Sequence, residues 1–261
     1  MQNFITQEQW NRYQEQGYLR LGQVLTDAGL LASQERIDAI MLGTAPTDTS
    51  RLLMQLDSPD GQYENAGVQS FGSKGATLAY RKIQELEYDP LFLEYLRHPV
   101  FEEICAHVYG AGTEIASFRA MFMNKPAHAG TLLPWHQDRW SDLDRDPLIT
   151  IWTALDPATA ANGCVEVIPG SHGRLINPDH PSGFLTPEQG EAAMKSHGTE
   201  FIELKPGEAV LLHNWLLHRS DVNRTDVSRR AFSASYMDAR TQSRGGSRFN
   251  TVFGEKVLRL T

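Results

Sequence analysis

Apolar positions in the first hundred residues recur at helical spacing, in short blocks that end on glycine or proline. Thr6 and Gln9 have the spacing of a capping box, and the run to Gln16 stops at Gly17, which predicts a short helix, followed by a short strand over 18–21. Asp27 is placed to cap a second helix carrying Leu30, Leu31, Ile37, Ile40 and Met41, with Gly43 at its end. Two further helices are predicted over 90–96 and 100–109, stopped by His98-Pro99 and by Gly110. Between them, residues 44–75 are rich in Asp, Ser, Gly and Pro and weakly periodic. A segment of that length is more than a connector, and it is expected to be a lid or binding loop anchored by Leu52, Leu53, Met54 and Leu56.

After Gly112 the pattern changes to short apolar or alternating runs at 115–123, 148–155, 164–168, 201–204, 209–212 and 231–237. Asn162-Gly163 reads as a hairpin turn, with Pro169-Gly170 and Lys205-Pro206-Gly207 as further breaks. Helices first and strands afterwards predict an α+β chain: a double-stranded β-helix (jelly roll, cupin-like) with N-terminal helices packed on it. The expected organisation is a single domain over 1–261, with a mainly helical preface at 1–112, a jelly-roll core at 113–240 and a tail at 241–261.

Composition narrows the function classes. The chain has 261 residues, 41% hydrophobic and 21% charged, enough for a full core and unlike disordered or fibrous chains. A net charge of −8 without a basic cluster argues against nucleic acid as a partner. No apolar run approaches the roughly 18 to 20 residues of a membrane span, and the start MQNFITQEQW lacks the regions of a signal peptide, so a cytoplasmic protein with no membrane partner is expected. Cys105 and Cys164 have neither CxxC nor finger spacing and read as reduced core thiols. The 9 histidines make a metal site worth seeking.

His136-Gln137-Asp138 supplies one imidazole and one carboxylate two residues apart, which on an extended strand project from the same face. A facial triad on iron needs a second histidine from elsewhere and leaves the opposite face of the metal open. His213 and His218 are the candidates, five residues apart and of opposite strand parity, so only one faces the metal. Ser220 shares the face of His218, and the returning chain brings Arg229 or Arg230 alongside, where a guanidinium would hold a carboxylate bidentately.

Taken in order, His136-Gln137-Asp138, Trp152, Asn162-Gly163-Cys164, Val167 to His172, Lys205-Pro206-Gly207, and His218-Arg219-Ser220 with Arg229 closely resemble the phytanoyl-CoA dioxygenase family. The resemblance is strong over 118–238 and extends to the preface through Gln16-Gly17-Tyr18 and Asp89-Pro90. It implies that His136, Asp138 and His218 bind Fe(II), and that Arg229 and Ser220 hold the distal carboxylate of 2-oxoglutarate with Trp152 lining that co-substrate and Gln137 orienting it. O₂ would be the third reactant. Because Asp138 is present where halogenating relatives carry a small residue, hydroxylation of an unactivated C–H, with release of succinate and CO₂, is the expected outcome.

Substrate recognition is less defined. Arg139, Trp140, Arg119 and His128 are candidates for the pocket mouth. An inward Arg139 or Arg119 would favour an anionic group, and Trp140 would offer a face for a quaternary ammonium. The charge of −8 argues against a CoA-linked substrate, leaving a small polar or zwitterionic metabolite: amino-acid-like, a phosphonate or a natural-product intermediate. Two other readings use the same ligands: a non-catalytic metal or 2-oxoglutarate binding module, and a jelly-roll metal-dependent hydrolase or isomerase. Met121 and Met123 read as core, Ser171 lacks a GxSxG setting, and His172 reads as a turn residue.

Overall fold

The computed structural model describes residues 4–180 and 183–260. Its helices are α1 (Gln7–Gln16), α2 (Asp27–Leu42), α3 (Pro90–Leu96), α4 (Pro99–Tyr109) and α5 (Pro187–His197). Local chemistry sets their ends. The Thr6 hydroxyl accepts from the Gln9 amide while the Gln9 side chain accepts from the Thr6 amide, and α1 stops at left-handed Gly17. For α2 the cap is Thr26, whose hydroxyl accepts from Gly29, and Asp27 lies in the first turn where its charge suits the helix dipole. The sequence reading misses α5 although Thr186 and Gln189 form a second full capping box. Its apolar face is too thin to register: Gly190 is its buried residue, with Ala193 and Met194 partly covered.

The strands are β1 (Tyr18–Gln23), β2 (Leu53–Leu56), β3 (Ser70–Phe71), β4 (Tyr80–Gln84), β5 (Ile115–Lys125), β6 (Leu133–His136), β7 (Ile149–Ala154), β8 (Val165–Val167), β9 (Glu200–Ile202), β10 (Glu208–His213), β11 (His218–Ser220), β12 (Arg229–Asp238) and β13 (Asn250–Phe253). They form two antiparallel sheets. The larger has the order β1-β10-β7-β12-β5-β4-β2-β3 with β13 also on β5, and the smaller is β6-β11-β8-β9. From β5 onwards the chain keeps crossing between the sheets: β5, β7, β10 and β12 belong to the large sheet, and β6, β8, β9 and β11 to the small one.

Three local expectations change. The preface contributes strands as well as helices, because β1 pairs with β10 while β4, β2 and β3 extend the sheet beyond β5. Residues 44–75 therefore carry β2 and β3, and Leu52 and Met54 are fully buried. The tail likewise supplies β13. Asn162-Gly163 does not close a hairpin, since β7 and β8 lie in different sheets. Asn162 ends a single 3₁₀ turn by accepting from the Thr159 amide and donating to the Pro157 carbonyl, and Gly163 follows at φ +77°, where a Cβ would sit 2.2 Å from the Asp221 carbonyl.

Side-chain alternation divides the interior. On β12, Phe232, Ala234 and Tyr236 face the helices and pack with Ile37, Ile40, Phe92, Leu96 and Phe101, whereas Ala231 packs between the sheets with Trp152, Val165, Val167 and Val210. Both cysteines are buried and free. No helix of the described residues is long and apolar enough to cross a membrane.

A charged clasp fastens α2 to this sandwich. Arg230 donates from Nε and Nη2 to the buried Asp156 carboxylate, at 2.8 and 2.9 Å, and from Nη1 to Asp38 on α2 at 2.7 Å. Removing one partner strands the other inside. Arg230→Ala is expected to lower the unfolding free energy in urea by about 3 kcal/mol, and the double change Arg230→Met with Asp156→Leu to cost less than Arg230→Ala alone.

Candidate active site

The site lies between the sheets, in a cavity of about 320 Å³. One wall is the inward face of the large sheet: Lys82 on β4, Arg119, Met121 and Met123 on β5, Ser235, Ser233 and Arg229 on β12, and Thr150 and Trp152 on β7. The other is the small sheet, with Leu133 and His136 on β6, His218 and Ser220 on β11, and Val165 on β8. Met121 and Met123 thus line the cavity as well as packing into the interior, Met121 buried and Met123 against the inter-sheet cluster, because they share the parity of Arg119 on β5.

His136 and His218 are direct partners in the β6–β11 register, and their rings lie 4.0 Å apart between centroids. Asp138 sits two residues past the end of β6, its amide donating to the Asn214 carbonyl at 2.7 Å. Its carboxylate oxygens lie 3.8 Å from His136 Nε2 and 3.9 Å from His218 Nε2. One donor atom from each residue falls within 4.8 Å of the others. Each imidazole is oriented through Nδ1, which hydrogen-bonds at 2.8 Å to the carbonyl two residues back, Pro134 for His136 and Leu216 for His218. That bond puts the proton on Nδ1 and leaves the Nε2 lone pair for a metal. Burial, reinforced by His218, pushes the His136 pKa down to about 3, which keeps it neutral as a ligand must be. Two imidazoles offering Nε2 and one carboxylate, with no further His, Cys, Asp or Glu grouped with them among the described residues, suit Fe(II).

His213, the other candidate, also borders the cavity, but its Nδ1 accepts the Trp215 amide at 3.0 Å and it stands outside the triad. Arg229 and Arg230 likewise separate by parity. Arg230 points to Asp156 and Asp38, whereas Arg229 points inward, 2% exposed, its guanidinium carbon 5.4 Å from the Trp152 ring. Among the described residues no carboxylate pairs with Arg229. Its Nε and Nη1, and the Nε1 of Trp152, are buried donors without acceptors. Burial pulls the Arg229 pKa down to about 10, so the guanidinium still carries its charge at neutral pH. Ser220 is buried on the same cavity. A charged, desolvated and acceptor-poor cluster of this kind fits a carboxylate.

Two of the expected site residues lie elsewhere. Gln137 spends its whole amide on backbone: Nε2 donates to the carbonyls of Arg174 (2.9 Å) and Trp215 (2.7 Å), and Oε1 accepts from Ile176 (2.8 Å). It points away from the cavity and pins the loop that carries Asp138. Close beneath it, Gly183 at φ +64° would place a Cβ 1.9 Å from the Gln137 carbonyl, so glycine is required there. His128, at φ +55°, is exposed and pairs with Asp226 at 2.6 Å. Arg139, Trp140 and Arg119 do line the cavity. Trp140 is not an open platform, however: the Arg119 guanidinium lies over its ring at 4.8 Å and Phe118 packs against it at 4.4 Å.

Sequence reasoning missed Arg81 and Lys82, along with Tyr63 and Gln69 from the 44–75 segment, all of which line the cavity. Burial and the neighbouring Arg119 and Arg81 push the Lys82 pKa down to about 7. The run Tyr80-Arg81-Lys82-Ile83 has strand character, but only the pairing of Lys82 with Met123 turns it into a wall of the site.

Among solved structures, the carbocyclase SnoK from nogalamycin biosynthesis superimposes with a TM-score of 0.72 at 19% identity, covering 98% of this chain and 97% of that one. Iron-bound EctD from S. alaskensis superimposes at 0.70 and 18%, covering 90% and 78%. Among curated proteins, a probable phytanoyl-CoA dioxygenase of Caenorhabditis elegans is 26% identical over 245 residues, covering 90% of this chain and 76% of the relative. The human peroxisomal phytanoyl-CoA dioxygenase is 26% identical over 257 residues, covering 91% and 70%. The phytanoyl-CoA dioxygenase (PhyH) family model matches residues 13–231, a span that holds the triad and the inward arginine, and the chain belongs to that family.

Proposed function

We propose that this dioxygenase, which uses Fe(II), 2-oxoglutarate and O₂, hydroxylates an unactivated C–H of a small polar metabolite, and that the two-sheet body is a double-stranded β-helix serving as its scaffold. The observation that carries the reading is Arg229: a charged guanidinium sealed beside a His-Asp-His cluster, with buried donors and no carboxylate to satisfy them. Nothing in metal-dependent hydrolysis or isomerisation calls for it. In the overall reaction 2-oxoglutarate loses CO₂ and becomes succinate, one oxygen atom of O₂ ending in succinate and the other in the substrate hydroxyl.

Within this reading His136, Asp138 and His218 hold the iron, which when bound supplies the redox chemistry. The residues of the chain then have positional tasks. Arg229, with Ser220 and Trp152, holds the distal carboxylate of 2-oxoglutarate and so fixes its orientation. The carbonyls of Pro134 and Leu216 keep both imidazoles in one tautomer. Gln137, by anchoring the backbone between two ligands, limits the wander of Asp138. Tyr63 and Gln69 bring the 44–75 segment over the cavity, where it acts as a partial lid that limits water at the reacting carbon. No protein acid or base is needed, so the outcome depends on which C–H is held near the metal. The cytoplasm, as expected from the sequence, is part of the same proposal.

Two measurements test it. Aerobic protein supplied with Fe(II) and 2-oxoglutarate should release succinate; His136→Ala should reduce that release by about 100-fold or more, and turnover with zinc under argon would overturn the reading. Replacing Arg229 with Ala should raise the KM for 2-oxoglutarate by roughly 10- to 100-fold, as expected for losing charge-assisted hydrogen bonds, with Arg229→Lys intermediate. An unchanged KM in a variant whose circular dichroism matches the parent would remove the carboxylate assignment.

A further inference from the structure

The charges that line the cavity are unbalanced. Arg81, Lys82, Arg119, Arg139, Arg219 and Arg229 all border it, and among the described residues Asp138 is its sole lining carboxylate. Two of the cations are accounted for: Arg219 donates to Glu166 at 2.6 Å, and Arg229 has its task in the function proposed above. The remaining four have no carboxylate within 4.0 Å among the described residues. Arg81 donates to the neutral Gln55 amide at 2.8 Å, and Arg139 has a buried Nε without an acceptor. The Arg119 guanidinium carbon lies 5.0 Å from the centroid of Phe118 and 4.8 Å from that of Trp140, and among the described residues no hydrogen-bond acceptor is paired with it. The carboxylates that act on it at longer range are Asp138 and Glu85.

Charge accounting sharpens the point. Fe(II), Asp138, a 2-oxoglutarate dianion and Arg229 sum to zero, so a fully assembled co-substrate complex does nothing to neutralise the three arginines Arg81, Arg119 and Arg139, and it leaves Lys82, with its pKa near 7, about half charged at neutral pH. Partly buried cations without a counter-charge are costly unless a ligand supplies one. The protein supplies them as a group: Lys82 is cross-strand from Met123, and Met123 lies on the same face of β5 as Arg119. Asp138 exerts an electrostatic effect on both Lys82 and Arg119, so this wall stands close to the triad. Among the described lining residues a substrate ammonium meets no unengaged carboxylate, because Asp138 belongs to the triad, and the Trp140 ring already has the Arg119 guanidinium over it.

We propose that Arg119 and Lys82, flanked by Arg139 and Arg81, form a recognition site for an anionic head group, a carboxylate or a phosphate-type oxyanion that the substrate carries close to the carbon that is oxidised. This rests on the oxygenase reading and sets the substrate class for it. A remote anionic handle would not meet this wall, which borders the reacting space itself.

Binding can be measured without turnover. Metal-free protein is titrated calorimetrically with inorganic phosphate and, separately, with acetate, so that the tighter arm assigns the head group. Either ion should bind, and Arg119→Gln and Lys82→Met should each weaken it by about tenfold or more. The charge-conserving Arg119→Lys and Lys82→Arg, which test against simple misfolding, should stay within about threefold of the parent. Arg224→Gln, which removes an exposed positive charge outside the cavity, should change nothing. Absence of binding by either ion, or equal affinity in the parent and both neutralising variants, would overturn the assignment. Uncoupled succinate release by the parent protein is measured alongside: release without anion binding overturns the head-group site alone, and no release overturns the oxygenase reading beneath it.

Discussion

The pairing of His136 with His218 across two short antiparallel strands is the constraint on which the rest of the site depends. In such a ladder directly opposed residues project to the same side, so one register decision brings together two imidazoles from positions 82 residues apart in the chain. A slip of one residue would turn one of them outward. The register is held from several sides. Leu217 donates its amide to Ser171 Oγ at 2.9 Å, the Ile168 amide donates to the Leu217 carbonyl at 3.0 Å, and Arg219 is tied to Glu166 on the next strand and lies over Trp135 at 4.7 Å. The Pro169 to His172 turn, which contributes no ligand, is thus part of what keeps β11 in place.

From that pairing the division of labour between the sheets follows. The small sheet provides the two imidazoles, and the large sheet, stiffened from behind by four helices' worth of apolar contacts, provides the charged wall opposite them. Alternation on β12 makes this economical. Phe232, Ala234 and Tyr236 anchor the strand to the helices, so Arg229, Ser233 and Ser235 necessarily face the cavity, and Arg230 necessarily faces Asp156. A single parity rule separates the arginine that lines the cavity from the one that ties Asp156 to α2.

Much of this was legible in the sequence for local reasons. Caps at Thr6 and Gly17, the proline starts of α3 and α4, and most strands from residue 115 onwards are written in adjacent residues. The two-residue spacing of His136 and Asp138 was readable too, and the same spacing argument applies to Gln137, which lies between them and therefore faces the other way; the family likeness drew it into the site against its own parity. What could not be read was non-local. Nothing near Arg81 and Lys82 says that their strand docks beside β5, and nothing in the 44–75 composition says that four of its residues pair as β2. Net charge says nothing of the site for a related reason. The value of −8 averages over a surface from which the cavity is hidden, and the interior of the site carries the opposite sign.

That opposite sign raises the question of how two anions would be told apart. Both cationic regions sit on the inward face of one pair of strands: Arg229 is opposite Lys125, and Arg119 is opposite Ser235. The six residue steps from position 119 to position 125 on β5 span about 20 Å along the strand. Charge alone cannot sort the ligands, since a guanidinium at either end would accept either oxyanion. Distance and enclosure can. Arg229 is sealed to 2% exposure between the sheets, with Trp152 and Ser220 on the same lining, which suits the narrow carboxylate end of the co-substrate assigned to it above. Arg119 and Lys82 are only partly buried and share the lining with Tyr63 and Gln69 from the preface, which suits the bulkier partner proposed for them. The strands added by the preface therefore do more than widen the sheet: they set Arg81 and Lys82 beside Arg119, and under the head-group proposal this gives a substrate a place that does not compete for the first.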